Sequence, residues 1–348
     1  MLRSLLRRRP LPVPTALDAQ GRLASDLWLD LPDAEERIER RRRRGALTTE
    51  QAEQLLHFSR DGYMILDLEL SEEVYADFDR VLERLWRRKP ADVAFAWQGP
   101  LQPFSQAVEA EHRRPGYRIA DLHSACTSAL DLYLDRRIFT YLELIFGEPA
   151  VATQSLYFEF GSQQPLHRDP VFVRMSPASH LVAAWIALED ISPRCGPLMY
   201  VPGSHKLPYY HHHHGRTSLE QRPKDNDEVV AMADFELAQA QQAGLELRHL
   251  TCKRGQVLLW HASLLHGGAR PDDPTLTRKS FVVHYSTRAH YPVRRDSILV
   301  RVPAGDGQTV QRQRIVETDA LLERDGCCGF DNPLRFYRGR RAAAPDAA

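Results

Sequence analysis

The chain has no apolar run approaching the ~20 residues that cross a bilayer, so nothing in its 348 residues reads as a membrane span. Its charge has no net sign. Lys plus Arg and Asp plus Glu number 46 each, and no global field draws the protein to nucleic acid or an anionic membrane. Cysteine is scarce: Cys126, Cys195, Cys252, Cys327 and Cys328 are odd in number and irregularly spaced, with two adjacent. That pattern argues against a disulfide framework and against a cysteine-based zinc site, and a reduced, cytoplasmic protein is the simpler expectation. The start, MLRSLLRRRPLPVP, is Arg-rich and lacks acids, as a mitochondrial presequence would be. The later stretch AEERIERRRRRG shows that the chain uses arginine freely, which favours a basic, partly disordered extension over 1–45. No internal repeat is present.

What the chain does have is a change of texture near residue 150. Before it, LTTEQAEQLLHFSRDGYMIL carries Thr48 and Gln51 at capping-box spacing, with Gly62 stopping a helix ahead of a short strand. LSEEVYADFDRVLERLW reads as an amphipathic helix starting at Ser71, and SALDLYLDRRIFTYLELIFG as another helical stretch ending at Gly147. After it, AVATQSLYFEFG, HLVAAWIALEDI, GPLMYVPGS, GQVLLWHASLLH and RKSFVVHYS are short β-rich runs bounded by Gly, Pro, Asn or Asp. A mainly β fold with flanking helices follows, as a single domain over 46–335. Polar residues 207–246 look like a lid-like insertion at the mouth of the β core, and 336–348 like a disordered tail.

The stretch QPLHRDPVF, residues 164–172, holds His167, Arg168 and Asp169 in a row. A kinase catalytic loop would need an Asn five residues after the Asp and an Asp-Phe-Gly beyond it. Position 174 is Arg and no Asp-Phe-Gly follows, so that reading fails. On a strand edge, alternation points His167 and Asp169 one way and Arg168 the other. Imidazole and carboxylate would then fill neighbouring positions of a coordination sphere, with a third ligand from elsewhere, as in the two-histidine-one-carboxylate centres of non-haem iron oxygenases. Downstream, RGQVLLWHASLLHGGARPDDPTLTRKSFVVHYS offers His261 and His266, whose odd separation places them on opposite faces of one strand. Arg278, at the head of the next strand, can sit across the pocket and grip the far carboxylate of a chelating 2-oxo acid with its planar fork.

With these pieces in place, the chain resembles the phytanoyl-CoA dioxygenase family over roughly 48–290. The likeness rests on RDGYMIL, LHRD, AAWIALEDI, GPLMYVPGSHK and LLHGG…TRKS. It implies a double-stranded β-helix core of jelly-roll, cupin-like form, and a dioxygenase using Fe(II), 2-oxoglutarate and O2, with ascorbate as reductant in vitro. It makes His167, Asp169 and His266 the catalytic iron ligands and Arg278 the partner of the distal carboxylate of 2-oxoglutarate, with Trp185 lining the cosubstrate pocket. Cys195 stands where family members often have Asn, and Gly268 where some have Ser, so a hydroxyl contact is either missing or supplied by Ser280. Asp169 argues against halogenation, because related halogenases carry a small residue there. Hydroxylation of a small-molecule substrate is the expected outcome. Desaturation, cyclisation and epimerisation on the same centre remain open, as does a non-catalytic jelly-roll binding module. The run His211–His214 reads as an exposed loop, and Arg118, Asp121 and His123 as substrate contacts or an ordinary helix start.

Overall fold

The amino-terminal helices form where charge and capping direct them. Helix α1 (Ala34–Arg43) carries Glu35 and Glu36 in its first turn and arginines in its last, the order the helix dipole favours. Helix α2 (Thr49–Asp61) opens on the capping box: the Thr48 hydroxyl accepts from the Gln51 amide at 3.1 Å, and the Gln51 side chain accepts from the Thr48 amide at 3.0 Å. Gly62, with φ of 79°, ends it. Helix α3 (Glu72–Arg88) follows Ser71 and buries Phe78, Val81, Leu82 and Leu85 on one stripe. The stretch expected as one helix near 128–147 is instead two, α4 (Thr127–Tyr133) and α5 (Arg136–Phe146). Asp135 divides them, because its carboxylate accepts from the Arg137 amide at 2.8 Å and starts a new helix rather than continuing the old one.

The structure is a computed structural model and describes residues 17–90, 93–97, 102–103, 110–173, 175, 177–211, 227–287, 289–290, 295–303, 309–317 and 321–330. Its strands are β1 (Tyr63–Asp67), β2 (Ala94–Trp97), β3 (Gln102–Pro103), β4 (Tyr117–Ala120), β5 (Ala150–Phe158), β6 (Val182–Ala187), β7 (Leu198–Tyr200), β8 (Arg248–His249), β9 (Gln256–His261), β10 (His266–Gly268) and β11 (Ser280–Thr287). The large sheet runs β1-β9-β6-β11-β5-β4-β2-β3, and a small sheet runs β10-β7-β8. Leu198 and Tyr200 of the small sheet pack with Trp185, Leu258, Trp260 and Val282 of the large one. This is the expected double-stranded β-helix, mainly β with helices on the outer face.

Burial on both faces explains why these strands read as nearly continuous apolar runs. In β11, Phe281, Val283 and Tyr285 face the helices and join the core that holds Phe78, Leu82 and Phe139. Val282 faces inward between the sheets, and by alternation so do Ser280 and His284. After β11, still within the expected domain, come strands that no quoted sequence run announces: the hairpin Arg295–Pro303 with Thr309–Glu317, and Leu321–Arg324 with Cys327–Phe330. Cys327–Phe330 runs beside β5, where Gly329 opposes Ala152. A Cβ at Gly329 would meet the Tyr133 ring at 2.4 Å, so only glycine lets that strand close in.

The core also reaches back beyond residue 46. Leu27, Leu29 and Ile38 are buried in it, and Leu17 bridges to Leu23, so packing begins within the segment expected to be an extension. Residues 1–16 of that extension and the tail 336–348 lie outside the described residues. Of the insertion 207–246, the described part includes α6 (Asp227–Gln242). No described helix is long and apolar enough to cross a membrane.

Candidate metal centre

His167 and His266 are held opposite each other by an antiparallel bridge between two otherwise separate segments. The His167 amide donates to the His266 carbonyl at 2.8 Å and the His266 amide donates back at 3.0 Å. Each imidazole then spends Nδ1 on the backbone: His167 on the Pro165 carbonyl at 2.8 Å, His266 on the Leu264 carbonyl at 2.9 Å. A carbonyl only accepts, so both Nδ1 atoms carry the proton and both Nε2 lone pairs face inward. The ring centroids are 4.4 Å apart. Asp169 joins them, and one donor atom from each of the three side chains lies within 4.8 Å of the others, all buried.

The segment around Asp169 is not the extended strand edge the alternation rule assumed. His167 sits at a single bridge, and Asp169 opens a 3-10 turn over Asp169–Val171. The expected facing survives, because the bridge residue still sends His167 and Asp169 inward and Arg168 away. Asp169 Oδ2 accepts from the Trp260 indole at 2.8 Å, while Oδ1 lies 3.5 Å from His266 Nε2 and 3.6 Å from His284 Nε2. Burial alone would raise the Asp169 carboxyl, but the surrounding imidazoles outweigh it and hold the group below the usual carboxylate range. Burial, reinforced by His266, pushes the His167 imidazole down to about 3. A neutral imidazole beside an ionised carboxylate is the state in which these groups bind a divalent cation.

Trp260 and His284 were missed by the sequence reading. A signal for His284 was present: once Arg278 and Ser280 phase β11, alternation puts His284 on the same face. Trp260 fixes the carboxylate it touches. Replacing it with Phe keeps the ring and removes the donor, and iron retention is expected to weaken roughly 10–100-fold. Chelator competition for bound Fe(II) checks this, and unchanged retention would remove Trp260 from the site.

Arg168, between two inward-facing residues, is fully buried on the other side. Its guanidinium pairs with Glu236 of α6 at 2.5 Å, donates to the Leu207 and Pro208 carbonyls at 3.0 Å each, and lies 4.4 Å from the Tyr209 ring centroid. The insertion is thus clamped to the segment that carries His167 and Asp169. Glu236→Leu strands a buried cation, which costs about 3–5 kcal/mol. The expected result is a melting temperature lower by roughly 6 °C or more. A shift under about 2 °C in thermal unfolding of the full chain would contradict the clamp.

Deeper between the sheets lie the other expected site residues. Arg278 is 2% exposed; its Nη1 makes one long bond, 3.5 Å to the Gly196 carbonyl, and its Nε has no partner. Burial pushes this guanidinium down to about 10. The Trp185 ring centroid lies 5.7 Å from it. Trp185 Nε1 and Ser280 Oγ are also buried without hydrogen-bond partners among the described residues. Arg278 Nε, Trp185 Nε1 and Ser280 Oγ are thus three buried polar atoms that call for an explanation, and a polar ligand is one. A side chain at 268 has no room, because a Cβ there would come within 2.9 Å of the Gln163 backbone nitrogen. The Cys195 thiol is spent on the Ser192 carbonyl at 3.0 Å.

The remaining candidates fall elsewhere. His261 faces Asp30 at 3.1 Å, with the His205 ring tilted beside it, and takes no part in the cluster. His123 stacks on Tyr133 and reaches Ser155 Oγ and the Phe330 carbonyl, while Asp121 accepts from the Ser155 amide, so both belong to the packing. His211 is exposed, and His212–His214 lie outside the described residues.

The model of a family described as Phytanoyl-CoA dioxygenase (PhyH) matches residues 58–271. Rat "Phytanoyl-CoA dioxygenase, peroxisomal" is 24% identical over 301 residues, 82% of this chain and 80% of that protein. "Ectoine dioxygenase" of Nocardia farcinica is 24% identical over 254 residues, 68% of this chain and 78% of that one. Among solved structures, the epimerase SnoN, in complex with Fe3+, alpha ketoglutarate and nogalamycin RO, superposes with a TM-score of 0.52 at 17% identity, covering 81% of this chain and 98% of its own. The alpha-ketoglutarate-dependent carbocyclase SnoK superposes with a TM-score of 0.50 at 19% identity, covering 70% and 85%.

Proposed function

Since the chain belongs to the phytanoyl-CoA dioxygenase family, we propose that it is an Fe(II)- and 2-oxoglutarate-dependent dioxygenase that hydroxylates an unactivated C–H bond of a small molecule, releasing succinate and CO2. The donor set fits iron: two imidazole Nε2 atoms and a carboxylate converge from His167, His266 and Asp169. Bound there with 2-oxoglutarate and O2, iron supplies the oxidising power that no side chain has. The protein's own part is placement. The Pro165 and Leu264 carbonyls fix the two imidazoles, and Trp260 holds the carboxylate at the atom turned away from His266. Arg278 takes the distal carboxylate of 2-oxoglutarate, with the Trp185 N–H and the Ser280 hydroxyl available to the same ligand. Phe158, Leu258 and Val282 keep water from that end, which strengthens the guanidinium–carboxylate pair.

The observation that carries this reading is the Arg278 guanidinium, buried with one long hydrogen bond just ahead of the strand that brings His284 to Asp169. A non-catalytic jelly-roll module would keep a buried, half-satisfied cation with nothing to gain from it. Epimerisation and ring formation are carried by structural neighbours of the same fold, so the outcome at the C–H bond needs its own test. Small-molecule pools are screened for 2-oxoglutarate consumption above the uncoupled rate, and the active member is turned over under 18O2. Hydroxylation places one labelled oxygen in the product. A product with altered mass or configuration but no label assigns desaturation, cyclisation or epimerisation instead.

A further inference from the structure

A second cluster of ligand-type side chains gathers at the ends of three neighbouring strands. Glu148 lies two residues before β5, His180 two residues before β6, and His290 three residues after β11. Glu148 Oε1 is 2.9 Å from His290 Nδ1 and 3.8 Å from His180 Nε2, and one donor atom from each of the three lies within 4.8 Å of the others. None of them touches the His167–Asp169–His266 group in any hydrogen bond or ion pair above.

What separates this cluster from a chance grouping is the support behind His180. The ring is 5% exposed, and its far nitrogen, Nδ1, faces Asp26 Oδ1 at 3.4 Å. The contact is an ion-pair approach, and the carboxylate, 67% exposed, accepts from the Ser179 hydroxyl at 3.3 Å. A negative charge beside Nδ1 favours the proton on that nitrogen and leaves Nε2 as the lone pair, an arrangement akin to that behind metal-bound histidines. Here it aims His180 Nε2 at Glu148 and His290. The Thr287 hydroxyl also reaches His290 Nδ1 at 2.9 Å, the same nitrogen that faces Glu148. The two rings are 3.8 Å apart, closer than the 4.4 Å of His167 and His266. His290, in a turn and 27% exposed, is the more exposed of the two rings.

We propose that Glu148, His180 and His290 form a second metal site, distinct from the triad, which takes zinc(II) with water completing the coordination and Asp26 orienting His180. Two imidazoles and one carboxylate with an open fourth position suit a borderline divalent cation, zinc foremost. The ion would join the ends of β5, β6 and β11 and, through Asp26, secure the segment before α1 against them.

The test counts zinc on the chelator-stripped full-length chain by equilibrium dialysis. His211–His214 are replaced by Asn throughout, because a run of imidazoles binds zinc on its own, and Asp169→Ala with His266→Ala removes the triad. One equivalent is expected to remain in that background, against two with the triad intact. Adding His180→Gln or His290→Ala should take it to none. Glu148→Gln, an isosteric change at a partly exposed position, should weaken retention roughly tenfold or more without threatening the fold. No zinc in the triad-less chain, or an equivalent that survives all three substitutions, overturns the proposal. Neither result bears on the iron reading, which the triad carries separately.

Discussion

Asp169→Ala is expected to abolish uncoupled succinate release, measured with Fe(II), 2-oxoglutarate and ascorbate, by roughly a thousandfold or more. The size follows from position: partners that merely orient a ligand are worth 10–100-fold in metal affinity or activity, and Asp169 is the only carboxylate in the cluster. Its removal also strands the Trp260 indole N–H and takes the acceptor from between His266 and His284. His266→Ala should behave alike, since it deletes one of two inward Nε2 donors while leaving the bridge, which is backbone, in place. His261→Gln separates ligation from general histidine loss. It disturbs the contact with Asp30 and lowers stability, yet succinate release per folded chain should persist. Succinate release in Asp169→Ala above a tenth of the wild-type rate would end the three-ligand account.

Arg278→Met is expected to raise the KM for 2-oxoglutarate by roughly 30- to 1000-fold, with kcat at saturation much less affected. Truncating one partner of a buried charge pair costs about 2–5 kcal/mol, and each 1.4 kcal/mol is about tenfold. The substitution carries a second, opposite expectation. Without cosubstrate the wild-type guanidinium is buried and underbonded, so an apolar replacement should leave the chain at least as stable. Adding 2-oxoglutarate should raise the melting temperature of wild type and not that of Arg278→Met. A structural arginine would give the reverse, a destabilised chain with an ordinary KM. Arg278→Lys should fall between, keeping the charge but not the fork.

Much of this site was legible in sequence because its parts obey short-range rules. The His-x-Asp spacing survives the shift from strand edge to bridge and 3-10 turn, because two residues one apart still share a side. Thr48 with Gln51, and the glycines at 62 and 147, set helix ends through bonds made within four residues. The choice between His261 and His266 was not readable from spacing. Alternation holds only within one strand, and a turn in which the Leu264 amide bonds back to the His261 carbonyl divides the run into β9 and β10. Family likeness pointed to His266, the histidine that lies with His167 and Asp169, where periodicity had no purchase. Asp135 was passed over for a related reason: inside an apolar helical pattern, a single capping carboxylate is a weak signal against continuation.

By itself the sequence determined the fold class and the family, and it singled out His167, Asp169, His266 and Arg278 as candidates, through local order along the chain for most of them and through family likeness for His266. Tertiary structure alone decided what stands across from those residues. Trp260 bonds Asp169 over a gap of 91 positions, and Arg168 meets Glu236 beneath an insertion whose sequence follows no period. Glu148, His180 and His290 come together only because β5, β6 and β11 lie side by side. Periodicity records which way a side chain points, and the partner it meets depends on how distant segments are laid together.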